Sequence, residues 1–215
     1  MARFPNAAPR RVALAAATSP KAKLLFALVF ASIWNAIISV FLVDVLGSFR
    51  RGLPDWGFAA IMVPFVIIGL GAIGYFFYAL LAMFNPRPFV TVSSNPISLD
   101  ESLEVEWETS GSVERVRSFH VTLEGREEAT YSRGTTTSTD RETFVVLNVA
   151  RGTGGSEFRR GKGKVAFPAQ AMHSFDGGHN KIAWVLRVRG DIPFWPDVEE
   201  EYEITIEPRR RGSRT

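Results

Sequence analysis

Two long runs without a formal charge are followed by a region in which apolar and polar residues alternate. The first run, residues 24–43 (LLFALVFASIWNAIISVFLV), is 20 residues long. At 1.5 Å per residue it makes roughly 30 Å of helix, about the thickness of a hydrocarbon core. The second, residues 57–84, has 28 residues and is long enough to span with tilt. Two such runs so close together predict a membrane hairpin, with helices at 24–46 and 57–84, and not the core of a soluble domain. A cleaved secretory signal fits the first run less well. Its apolar stretch exceeds the roughly 7–15 residues of a signal, and it ends in Val43-Asp44-Val45-Leu46 without a small-residue cleavage site.

Between the runs, Gly47, Arg50, Arg51, Gly52, Pro54 and Asp55 make a short turn, and Trp56 is placed for a membrane interface. The first helix carries Ala27, Ala31, Asn35 and Ser39 at steps of four, a stripe of small and mildly polar residues suited to close helix packing. Asn35 reads as an interhelical hydrogen-bonding residue, and Asp44 as one that reaches the interface. Pro64 predicts a kink near the start of the second helix. Gly69, Gly71 and Gly74 do not make a GxxxG.

After Asn85-Pro86-Arg87-Pro88 the period changes to two. Leu103, Val105 and Trp107 alternate with Glu104, Glu106 and Glu108; Phe119, Val121 and Leu123 alternate with His120, Thr122 and Glu124. Ile182, Trp184, Leu186 and Val188 mark another strand, and Tyr202, Ile204 and Ile206 alternate with Glu203, Thr205 and Glu207. Residues 89–92, 143–149 and 164–167 add three more. One oily face per strand is the pattern of half-buried antiparallel strands. Seven or eight of them between turn-rich breaks predict an all-β antiparallel sandwich over 88–208.

Charge changes the picture in one respect. The formal net charge is +3, yet from residue 87 onward 18 Lys or Arg meet 20 Asp or Glu. The excess comes from residues 1–23, where Arg3, Arg10, Arg11, Lys21 and Lys23 meet no acid, and which read as a flexible basic tail. Positive charge beside hydrophobic segments orients a membrane protein and does not mark a nucleic-acid binder. Five cations precede the first helix and two lie in the loop, so both termini and the sandwich are expected in the cytoplasm, in a bacterial inner membrane. The chain has no cysteine, which excludes disulfides, thiolate metal sites and cysteine nucleophiles.

Candidate chemistry is sparse. His173 and His179 flank Asp176 in H-S-F-D-G-G-H, but the spacing matches no helical or hairpin zinc geometry, and Asp-Gly-Gly reads first as a tight turn. His120 falls on an outward position. Residues 135–139, rich in threonine, read as a solvated hairpin loop. No catalytic, metal or cofactor residue is assigned. Arg159, Arg160, Lys162 and Lys164, interleaved with Gly161 and Gly163, lack the strand–loop–helix context of a phosphate loop and read as part of a long hairpin. A sharper reading joins them to Arg209, Arg210 and Arg211 of a basic tail at 209–215 as contacts to anionic lipid or a partner, each cation worth about 1 kcal/mol at such a surface.

The run Val165-Ala166-Phe167-Pro168, then His173-Ser174-Phe175-Asp176-Gly177-Gly178, then Lys181-Ile182-Ala183-Trp184-Val185-Leu186-Arg187-Val188, resembles the arrestin-like (immunoglobulin-like) sandwich. The resemblance covers 165–208, where 191–197 and the closing strand continue the pattern. As a whole the chain is similar to bacterial proteins with two transmembrane helices and such a domain. A fold-level likeness transfers no active site; it implies a domain that binds proteins. The expected function is a membrane-anchored interaction or assembly module, non-catalytic, with the bilayer and a protein as partners and homo-oligomerisation open. The alternatives are an accessory subunit of a transporter or channel complex, and a metal-dependent hydrolase around His173, Asp176 and His179.

Overall fold

A computed structural model describes residues 11–17, 19–133 and 136–209. They fall into two compact units: one holds both long helices and ends at Phe84, and the other begins at Asn85 and takes in residues 11–17.

In the helical unit, α1 (Pro20–Arg50) and α2 (Trp56–Ala82) are both long and apolar enough to cross a membrane. Pro20 stands in the first turn of α1, where its missing N–H costs nothing. Asp55 caps α2 by accepting the Phe58 N–H at 2.9 Å. Pro64 lies inside α2, which runs unbroken through it. The buried residues of α1 are Ala27, Ala31, Ile38, Val45 and Ser48, and those of α2 are Gly69, Ala72 and Ala79. Their spacings of three, four and seven follow a heptad seam. Ser39 is therefore not on the packing stripe. Steps of four advance 40° each around a helix, so by the third step the stripe has rotated off the seam, and Ile38 takes its place. Ser39 is exposed and donates to the Ala36 carbonyl at 2.7 Å.

The second unit contains β1 (Val12–Ala13), β2 (Arg87–Val92), β3 (Ile97–Ser98), β4 (Ser102–Ser110), β5 (Ser118–Arg133), β6 (Thr136–Thr153), the short α3 (Gly155–Arg159), β7 (Arg160–Ala166), β8 (Phe175–Asp176), β9 (Asn180–Asp191), β10 (Val198–Ile204) and β11 (Ile206–Glu207). One antiparallel sheet has the order β1-β2-β4-β7, and a second has the order β10-β9-β5-β6 with β8 beside β9. The two short strands β3 and β11 pair in parallel. One buried cluster draws on both larger sheets, with Leu103, Val105 and Trp107 from β4, Leu123 from β5, and Trp184, Leu186 and Val188 from β9. In β4 the alternation is plain: Leu103, Val105, Trp107 and Thr109 are buried, and Glu104, Glu106 and Glu108 face out.

Three local expectations change. Residues 11–17 are not a tail. Val12 pairs with Val92 and Ala13 with Thr91, while the Ala17 N–H donates to the Glu201 carbonyl at 2.7 Å. This strap passes from the edge of the first sheet to the edge of the second, held by Val12 and Leu14 packed against the core. Lys21 and Lys23 belong to the first turn of α1. Residues 159–164 are not part of one hairpin either: β6 pairs with β5 and β7 with β4, so α3 carries the chain from one sheet to the other. Residues 137–139 lie within β6, and the side chains of Thr130 and Thr139 meet at 3.0 Å.

Candidate functional site

The glycines and cations of β7 have separate duties. Gly161 and Gly163 face the interior. A methyl group at Gly161 would come within 2.1 Å of the Trp107 ring, and one at Gly163 within 2.6 Å of the Val149 carbonyl oxygen. Their absent side chains admit an indole and the backbone of β6. The cations alternate outward and meet the glutamates of β4 in register: Arg160 Nη2 lies 2.6 Å from Glu108 Oε1, and Lys164 Nζ 3.3 Å from Glu104 Oε1. Lys162 stands opposite Glu106, which is ion-paired with Arg11. Arg159 meets Glu114 at 2.8 Å. This face is a ladder of alternating sign and not a cationic patch, so the anionic-lipid reading of Arg159, Arg160, Lys162 and Lys164 has no support in the geometry. Exposed pairs of this kind contribute roughly 0–1 kcal/mol each.

Arg209 is also engaged. Its Nη2 donates to the carbonyls of Pro168 and Ala169, both at 3.1 Å, and its Nη1 lies 3.9 Å from Asp100. Arg210 and Arg211 lie outside the described residues. Residues 176–179 form the turn between β8 and β9, and His173 lies in the irregular stretch before β8: Asp176 Oδ1 accepts the Gly178 N–H at 3.1 Å, Gly178 has φ +79°, and the His179 carbonyl accepts the Thr130 N–H at 2.6 Å. Among the described residues no three His, Asp, Glu or Cys side chains converge as a metal site.

In the hairpin, the sequence-predicted residues Ala27, Ala31 and Asn35 do come together on the inter-helix side. Asn35 Nδ2 donates to Ala31 O at 2.8 Å and across to Gly69 O at 3.2 Å, while Trp34 Nε1 donates to Phe65 O at 3.1 Å. A methyl group at Gly69 would stand 2.6 Å from Asn35 Oδ1, so this glycine lets the amide approach the α2 backbone. Asn35→Ala is expected to weaken helix pairing by only about 0.6 kcal/mol, the average for interhelical bonds in membranes. Unfolding of the full chain in bicelles measures it, and a loss several times larger would mean that the amide does more than bridge.

Two groups of residues were not singled out by the sequence. On the outward face of the second sheet, Arg126 (β5) places Nη2 2.7 Å from both Glu124 Oε2 (β5) and Glu201 Oε1 (β10). Hydrogen bonding to Glu201, and then to Glu124, raises the guanidinium pKa above its ordinary value against the desolvation that lowers it. Arg187 pairs with Glu199 and approaches Glu124 at 3.7 Å. Arg189 is raised as well, by its hydrogen bond to Asp197. Elsewhere, the Tyr202 hydroxyl donates to the Pro88 carbonyl at 2.6 Å, and burial, with Glu200 nearby, pushes the phenol above its usual range. The second group surrounds Asn85, the first residue of the β unit. Its Nδ2 donates to the carbonyls of Pro196 at 2.9 Å and Asp197 at 3.0 Å, and its Oδ1 accepts from Trp195 Nε1 at 2.8 Å. Only Glu124 and Arg126, two apart on one strand, were within reach of a sequence signal.

No family model matches the chain, and no curated relative matches it. Among solved structures it is similar to the sporulation control protein Spo0M from Bacillus subtilis, with a TM-score of 0.40 and 9% identity. The match covers 57% of this chain and 49% of that one, so it spans about half the length of Spo0M.

Proposed function

We propose that this chain is a membrane-anchored protein-interaction module, non-catalytic, in which the α1–α2 hairpin fixes an arrestin-like sandwich to the cytoplasmic face of a bacterial inner membrane. The observation that carries the reading is the edge of the second sheet. β6 is 18 residues long and ends the sheet order, and among the described residues no strand pairs with its outer side. A long edge presents free N–H and C=O groups to which an extended segment of another protein can add as a strand. Asp140, Arg141 and Glu142 guard one end of β6, as charges commonly do at edges, but Val146 is 57% exposed and Asn148 is exposed beside it. The single core shared by the two sheets supports the sandwich, and the cations before and within the first turn of α1 support the orientation.

A photo-crosslinking residue at Asn148 tests this in membranes of cells carrying the full chain. The expected result is one reproducible crosslinked protein, lost when Val146→Lys places a charge on the edge. Absence of any crosslinked species from this edge would sink the reading.

An accessory-subunit role in a larger membrane complex is the second reading. It is favoured by the apolar helix surface the hairpin leaves uncovered, where Phe26, Val40, Ile67 and Leu70 are all exposed. Replacing the hairpin with an unrelated anchor separates the two, since an interaction module keeps its crosslink and an accessory subunit loses its complex.

A further inference from the structure

We propose that the loop joining β9 to β10 is a bilayer-contact wedge, with the Phe194 ring seated at the headgroup–acyl boundary. This rests on the reading of the hairpin as membrane-spanning. Phe194 has φ +60° and a relative exposure of 107%. A bulky residue in the left-handed region is strained, and such strain persists where the surroundings impose it, often at functional sites. Here they do. Pro193 and Pro196 restrict the chain on both sides, and the Trp195 N–H closes a turn onto the Ile192 carbonyl at 3.1 Å. The loop's acid is turned away from the tip: Asp197 accepts from the Ile192 N–H at 3.3 Å and from Arg189 at 3.0 Å. A rigid, internally bonded loop thus holds a large apolar ring wholly in solvent, where nothing in the β unit gains from it.

The bonds to Asn85 say what the ring meets. Asn85 follows 28 residues without a formal charge and stands three residues after Ala82, the last of α2. Three residues reach at most about 11 Å, and each headgroup layer is roughly 5–8 Å deep. Asn85 is therefore held at or beside the membrane surface, and the three hydrogen bonds that join it to Trp195, Pro196 and Asp197 hold the loop there with it. The remaining chemistry suits an interface. Arg115 lies 4.7 Å over the Trp195 ring, a cation on an aromatic beside an apolar tip, as favoured where apolar tails meet charged headgroups.

The chain lacks cysteine, so a single introduced thiol takes a spin label at one site. The full chain is reconstituted in vesicles of phosphatidylcholine and phosphatidylglycerol, with a label at Phe194→Cys, at Ile68→Cys in α2, or at Val146→Cys on β6. Collision with oxygen and with a water-soluble nickel chelate then reports depth. The expected result is a deep label at 68, a shallow but nickel-protected label at 194, and a nickel-accessible label at 146. A deep label at 68 with 194 as accessible to nickel as 146 overturns the wedge and leaves the hairpin reading standing. An aqueous label at 68 removes both. Protection at 146 equal to that at 194 would assign the effect to the label and overturn the proposal.

Discussion

Trp184→Ala is expected to lower the stability of the β unit by about 3–5 kcal/mol, the range for deleting a large aromatic from a packed core. Trp184 is 1% exposed on β9 and meets Phe144 and Phe167 edge-to-face, with ring centroids 5.8 and 5.5 Å away. Such pairs add roughly 0.5–1.5 kcal/mol beyond area burial. Its Nε1 donates to the Met172 carbonyl at 2.9 Å, tying the irregular stretch before β8 to the core. Truncation therefore removes the ring, two aromatic partners and the bond that holds a loop. Trp184→Phe keeps most of the volume and should recover about half the loss, since only the hydrogen bond and part of the contact area are gone. Urea unfolding of the full chain in detergent, followed by near-UV circular dichroism, measures the loss. A loss below about 1 kcal/mol would mean that the core collapses around the vacancy, which close-packed interiors rarely do.

Trp184 was also among the residues whose placement the sequence made plainest. An alternating strand with one oily face needs only its own period to declare its inside, and Leu103, Val105, Trp107 and Trp184 all follow it. The two long helices were equally legible, because 20 and 28 residues without charge admit few alternatives. What escaped depends on distance along the chain. Val12 and Ala13 make a two-residue strand whose partners are Val92 and Thr91, and no local period can announce so short an element. The exchange of Ser39 for Ile38 turns on the difference between a step of four and a repeat of seven, which shows only when a second helix is present to define the seam. The glycines of β7 read as part of a long hairpin because Trp107 and Val149, which occupy the space they leave, come from other strands. Asn85 and Trp195 are 110 residues apart, and nothing in either neighbourhood foretells their bond. The charged ladder is an intermediate case. The outward glutamates of β4 were visible, but their neutralisation by the cations of β7 depends on the β4–β7 register.

The same dependence on register makes Arg126→Met the second large expected effect, a loss of roughly 3 kcal/mol, at the low end for breaking a buried pair. The guanidinium serves two carboxylates at once, with Nε and Nη2 toward Glu124 at 3.2 and 2.7 Å and Nη1 and Nη2 toward Glu201 at 3.2 and 2.7 Å. The side chains of Arg126 and Glu124 are only 16% and 10% exposed. Val185 faces outward in register with Glu124, yet is just 5% exposed, as expected of an apolar residue among these long side chains. Methionine fills much of the volume but leaves the buried carboxylate of Glu124 with the Thr122 hydroxyl at 3.4 Å and Arg187 at 3.7 Å, and that residual charge is the source of the loss. Two further variants separate charge from packing. Arg126→Lys restores a positive charge without the planar fork that reaches both acids, so it should recover only part of the stability. Adding Glu124→Gln and Glu201→Gln to Arg126→Met removes both charges the guanidinium served and should recover most of it, since a buried ionic cluster is often replaceable as a unit though not piecemeal. Urea midpoints of the three variants decide the matter. If the triple variant is as unstable as Arg126→Met alone, the cost lies in lost packing and not in the charge of the carboxylates.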